Sequence, residues 1–133
     1  MYIHPRSVND RVFEVFRSPG RFTKNPDVVQ LPTGRLLLVY SDNDAHWAQE
    51  TQILTILRSD DQGLTWAKHA VVDQADLRKG EERLVTPRLS ALPDGRLAVI
   101  VDHDDFGHFH EDQACGNWIY WSEDGGLTWS GPH

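Results

Sequence analysis

One cysteine and one methionine stand in the whole chain of 133 residues. Cys115 has no second thiol to pair with, which excludes an internal disulfide framework and leaves packing to hold the fold. A lone thiol suits a reducing compartment. No apolar run approaches the roughly 20 residues of a membrane-spanning helix, so no membrane partner is expected. The opening residues MYIHPRSVND carry no apolar stretch of the signal-peptide kind. Cytoplasmic is therefore the expected location, with secretion left open. Basic residues are outnumbered: 13 Lys and Arg face 20 Asp and Glu, a net charge of -7. That balance argues against a nucleic-acid partner, whose phosphates require positive charge opposite them.

Tryptophan and glycine are plentiful, at five and ten residues, and the length suffices for one domain with a core. Two long strings recur: NPDVVQLPTGRLLLVYSD begins at Asn25 and TPRLSALPDGRLAVIVDHD at Thr86. Pro26 and Pro87, Leu31 and Leu92, Gly34 and Gly95, and Arg35 and Arg96 are all 61 positions apart. SDDQGLTW at residues 59–66 returns as SEDGGLTW at 122–129, a spacing of 63. A unit of about sixty residues therefore occurs twice, with two residues of slack.

Each unit reads as short strands separated by Gly and Pro turns. The first gives DVVQL, RLLLVYS, QILTILRS and TWAKHAVV; the second gives RLSAL, RLAVIVD, NWIYWS and the start of a fourth at TWSGPH. Residues 73–83, DQADLRKGEER, are the one helical candidate, a turn or two in a connector. Four antiparallel strands at a fixed period are the pattern of propeller blades. The expected fold is all-β: about two four-stranded antiparallel blades, at about 25–72 and, incomplete, 86–133, with a lead-in strand at 11–17. Two blades cannot close a ring, so the expected partners include missing blades of the same polypeptide or self-assembled copies.

Within the repeated string, Asp61 and Asp124 suit acceptance of turn N–H groups, and Gly63 and Gly126 suit positive φ. Ser59, Ser122, Thr65 and Thr128 can tie the turn, with Trp66 and Trp129 packed beneath it. Recurrence in both units marks the string as part of the scaffold rather than a catalyst. Ser-x-Asp-x-Gly-x-Thr-Trp resembles the Asp-box, and LPTGRLLLVYSD and LPDGRLAVIVD resemble the hairpins before it in sialidase-like (neuraminidase, BNR repeat) proteins. The resemblance covers roughly residues 25–131. It implies a six-bladed propeller whose Asp-boxes lie away from the active site, and an exo-acting glycoside hydrolase, with no cofactor.

In a meandering blade the Asp-box turns share one end with the first hairpin turns, so the other loops form the opposite rim. Those loops are residues 41–51, SDNDAHWAQET, and 102–116, DHDDFGHFHEDQACG. The resemblance makes Asp44 the general acid/base, with Asp42 and Glu50 as alternatives. Trp47 is suited to stacking on a sugar face. The second loop carries His103, His108 and His110 among carboxylates; its spacing matches no strong metal motif, so no metal is expected and a substrate-facing loop is the reading. The family grips a carboxylate with arginines, the first in an Arg-Ile-Pro motif. Here TKNP places Lys24 at that point, with Arg21 and Arg17 as further candidates. Lysine lacks the guanidinium fork, and the rim is acidic, so sialic acid is one possible substrate among terminal glycan sugars. The nucleophile belongs to later blades in the family, and Tyr40 and Tyr120 read as packing residues. Two other readings are a non-catalytic glycan- or protein-binding propeller, and a related enzyme on another sugar using His103, His108 or His110.

Overall fold

A computed structural model describes the backbone at residues 2–5, 11–104 and 115–133, and side chains at 14–103 and 116–133. Its regular elements are β1 (Tyr2–Pro5), β2 (Arg11–Glu14), β3 (Phe22–Gln30), β4 (Leu36–Asn43), β5 (Thr51–Ser59), β6 (Ala67–Asp76), β7 (Arg83–Ala91), β8 (Leu97–Asp104) and β9 (Cys115–Ser122). A single 3-10 turn, Leu77–Lys79, is the only helical piece among the described residues. β3-β4-β5-β6 form one antiparallel sheet and β7-β8-β9 another, while β1 and β2 pair as a hairpin. These are two blades. A fourth strand begins in the second, where Ser130 bridges Trp121 and His133 exchanges backbone hydrogen bonds with Ile119.

The strands run further than their apolar runs suggest. β4 and β5 pair out to Asn43 and Gln52, and β8 and β9 out to Asp104 and Cys115. Asp42 and His103, read from sequence as loop residues, are therefore strand residues. Polar side chains at a strand end hide the pairing from a hydrophobic pattern. The connector shrinks for the same reason: β6 continues to Asp76 and β7 starts at Arg83, leaving one turn of 3-10 helix. Asp76 caps that turn through Arg78 N, and Gly80 closes it on Leu77 O.

The repeat is visible in the backbone. β3 is bulged between Lys24 and Asp27, and β7 between Val85 and Arg88, the same place in each unit. Asn25 and Thr86 sit there with φ of 53° and 47°. Asparagine tolerates this region; a β-branched threonine is strained in it. Bulges re-aim the chain beside functional rims, and here each lies just inside the loop end of the first strand of its blade.

Both Asp-boxes close in the same way. Ser59 Oγ donates to Asp61 Oδ1 (2.8 Å) and accepts from Gly63 N (2.8 Å); Ser122 Oγ does the same with Asp124 (2.9 Å) and Gly126 (2.9 Å). Thr65 and Thr128 each donate N–H and O–H to the box carboxylate. Each Trp donates Nε1–H to the box glycine, Trp66 to Gly63 O (3.0 Å) and Trp129 to Gly126 O (3.1 Å). Gly126, at φ 85°, is also closely packed, since a Cβ there would stand 3.3 Å from Leu37 and from Leu97.

The Thr hydroxyl bonds, with the N–H bonds, hold both carboxyls at about 2. A depressed carboxyl adds stability that is complete above its unfolded value, near 4, and disappears as pH falls through about 2. Thermal melts should therefore show the wild type losing more stability between pH 4 and pH 2 than an Asp61→Asn/Asp124→Asn variant. Parallel losses in the two proteins would remove the boxes from the acid response.

The blades pack face to face. Leu37, Val39, Leu54 and Ile56 of the first meet Leu84, Leu89, Leu97, Val99, Val101 and Tyr120 of the second, all at most 4% exposed. Among the described residues four polar ties cross the seam. Gln52 brackets Leu84, accepting from its N–H (2.8 Å) and donating to its carbonyl. Asp27 accepts from Leu89 N (2.8 Å), His69 donates to Gly125 O (3.0 Å), and Tyr120 donates to Asp73 (2.6 Å).

Candidate functional site

The rim opposite the Asp-boxes is built where β4 ends, β5 begins, β3 begins and β7 begins. Trp47, on the β4–β5 loop, is 52% exposed. Lys24 Nζ stands 4.8 Å from its ring centroid and donates to His46 O (2.7 Å). The Arg83 guanidinium, from the start of β7, lies 5.8 Å from the same ring. Two cations, one from the first strand of each blade, thus converge on one indole, a cation–π arrangement. Phe22 and His46 extend the aromatic surface, with centroids 4.9 Å apart. In the sequence Arg83, with Arg88, could be read as a source of positive charge in the second unit; its approach to Trp47 depends on β7 starting at Arg83, which the apolar pattern did not mark.

Asp44 staples the loop that carries Trp47. Its carboxylate accepts N–H bonds from Gln49 (3.2 Å), Glu50 (3.2 Å) and Thr51 (3.0 Å). Desolvation pushes this carboxyl up, but the N–H groups of Thr51, Glu50 and Gln49 together outweigh it and leave it below the ordinary carboxylate value. Glu50 faces the connector: its carbonyl accepts from Leu77 N (2.9 Å), and its carboxylate lies 3.6 Å from Arg78.

Arg21 and Asp42 form a strut at the base of the same loop. Arg21 donates to Asp42 Oδ1 (2.7 Å), Asp42 O (2.7 Å) and Thr51 Oγ1 (2.8 Å). The positions 61 residues on are Glu82 and His103, and they pair as well. The second blade repeats the strut with other chemistry. His103 also stacks on Trp118, with centroids 4.1 Å apart and planes 13° apart, and its Nε2 packs over Gly116, where any Cβ would collide with it.

The other sequence candidates are dispersed. Arg17 pairs with Glu14, apart from the Trp47 cluster. His108 and His110 lie outside the described residues. Tyr40 is 5% exposed, and burial pushes its phenol up to about 12; Tyr120 is 1% exposed and is raised by burial and by Asp73. Among the described residues no group of three or more His, Cys, Asp and Glu is arranged to hold a metal ion, and no helix is long and apolar enough to cross a membrane.

No curated protein sequence matches the chain. Among solved structures, an alpha-L-arabinanase of Penicillium chrysogenum, complexed with arabinobiose, is 25% identical with a TM-score of 0.60, over 81% of this chain and 30% of its own. A Dyadobacter fermentans protein of unknown function is 24% identical with a TM-score of 0.60, over 77% of this chain and 25% of its own. A Hadza microbial sialidase is 19% identical with a TM-score of 0.56, over 83% of this chain and 24% of its own. The chain thus spans 24% to 30% of the length of these structures, and its two sheets correspond to blades of their propellers. The BNR repeat-like domain matches residues 4–133. By that match across nearly its whole length, the chain belongs to the BNR repeat-like domain family.

Proposed function

We propose that these two blades form part of the substrate rim of an exo-acting glycoside hydrolase of the sialidase type, working on a terminal sugar. The observation that carries this reading is the half-exposed Trp47 with Lys24 and Arg83 close to its ring. An exposed indole offers a flat apolar face to a pyranose or furanose ring, and two adjacent cations favour a sugar bearing a carboxylate. Asp44 is the proposed acid/base, and the nucleophile is assigned to blades beyond this chain. Protonation of the leaving glycosidic oxygen requires a carboxylic acid at that place.

One observation favours a second reading, a glycan-binding propeller without catalysis: three backbone N–H groups hold Asp44 in its charged form. Hydrolysis of aryl sialosides, arabinosides and uronides by the complete propeller, with the blades that carry the nucleophile, separates the two. Turnover of one class, with Trp47→Ala raising KM roughly 10- to 30-fold through loss of the stacking platform, is the expected result. Sugar binding that depends on Trp47, with no turnover of any class, would establish the second reading. No binding and no turnover would sink both.

A further inference from the structure

The seam between the blades changes character along its length. On β4, residues 37, 39, 41 and 43 share one face, since side chains alternate along a strand. Leu37 and Val39 belong to the core shared with the second blade. Ser41 and Asn43, the next two on that face, are polar, and both are 0% exposed. Opposite them on β5 stand Leu54 and Gln52. Gln52 has its partner, the Leu84 backbone. Ser41 Oγ and both polar atoms of the Asn43 amide have no hydrogen-bond partner.

Buried amides and hydroxyls in native proteins are almost always hydrogen-bonded, because an unmet group forfeits its hydration without return. Neighbouring side chains at this level do not meet the need. Asp42 points to the other face and is held by Arg21. Gln52, directly across from Asn43, is committed to Leu84.

We propose that Ser41 and Asn43 form a buried solvent site inside the seam, just beneath the functional rim, holding one or two water molecules. Asn43 supplies two donors and an acceptor, and Ser41 a donor and an acceptor, which meets the two to four contacts an internal water requires. Water fits better than a metal cation. The donors at this level are neutral, and the charge that β7 brings beside Leu84 is the cation Arg83. A cation placed there would lack the carboxylate that makes burial of charge tolerable. The site continues the row that Gln52 begins, so the loop end of the seam is a polar layer above an apolar one.

The test compares thermal midpoints of the wild type with Asn43→Leu, a near-isostere, Ser41→Ala and the double variant. A shared solvent site predicts that each single change lowers Tm by roughly 3–6 °C. It also predicts that the double variant loses less than the two single losses combined, because both side chains serve the same water. An Asn43→Leu protein as stable as the wild type or more so would overturn the proposal, since that is the behaviour of an amide with nothing bound to it. Strict additivity would also overturn a shared site. Should Asn43→Leu fail to fold, a high-resolution crystal structure of the wild type decides: solvent density within hydrogen-bond distance of both side chains is expected, and a direct protein contact or an empty space refutes it.

Discussion

Asp44→Asn is expected to lower kcat on a cleaved glycoside by on the order of 10³-fold, the usual contribution of a general acid/base. The choice of asparagine matters. Asp44 holds the Trp47 loop by accepting three backbone N–H groups, and an alanine would release the loop as well as remove the proton carrier. Asparagine keeps an acceptor oxygen on the side facing Thr51 and Glu50 but cannot transfer a proton. The loop should stay in place and KM should change little. Because the N–H groups hold the carboxyl below its ordinary value, wild-type turnover should also fall with rising pH already below the ordinary carboxylate range, about 4. A variant that keeps full kcat with an unshifted pH profile would confine Asp44 to stapling the loop.

The second large effect is on stability. Arg21→Ala should cost about 2–3 kcal/mol, somewhat below the figure for a fully buried pair because the two side chains keep 25% and 12% exposure. The loss comprises three hydrogen bonds and, more important, an Asp42 carboxylate left without its counter-charge. The Arg21→Ala/Asp42→Ala double variant should be less damaged than the two single losses predict, since it strands no charge. Arg21→Lys should rescue only in part, because an ammonium cannot reach Asp42 Oδ1, Asp42 O and Thr51 Oγ1 with one rigid fork. Denaturant melts decide this; an Arg21→Ala midpoint equal to wild type would make the strut ornamental.

The repeat and the Asp-boxes were legible in sequence because they are local. A box is closed by residues within eight positions of each other, and a repeat declares its turns at a fixed interval. Asp44 was legible as a loop carboxylate, but its bonds to Gln49, Glu50 and Thr51 depend on how the loop folds back. The Lys24–Trp47–Arg83 convergence was illegible for a different reason: it joins two strands whose starts lie 61 positions apart. Arg21 with Asp42, and Glu82 with His103, were hidden because the residues ending β4 and β8 are polar. Strand ends stabilised by pairing and ion pairs leave no hydrophobic alternation to read.

The ties across the seam carry a lesson about inheritance. Three of the four run from a side chain of the first blade to the main chain of the second: Gln52 to Leu84, Asp27 to Leu89 and His69 to Gly125. A main-chain partner is present whatever residue other than proline occupies its position. Drift in the second blade can therefore rewrite those residues without breaking the ties, while the first blade must keep its glutamine, aspartate and histidine. The constraint on divergence after a duplication is thus unequal between neighbours, and a blade's freedom to acquire new loops depends on which side of the seam it supplies.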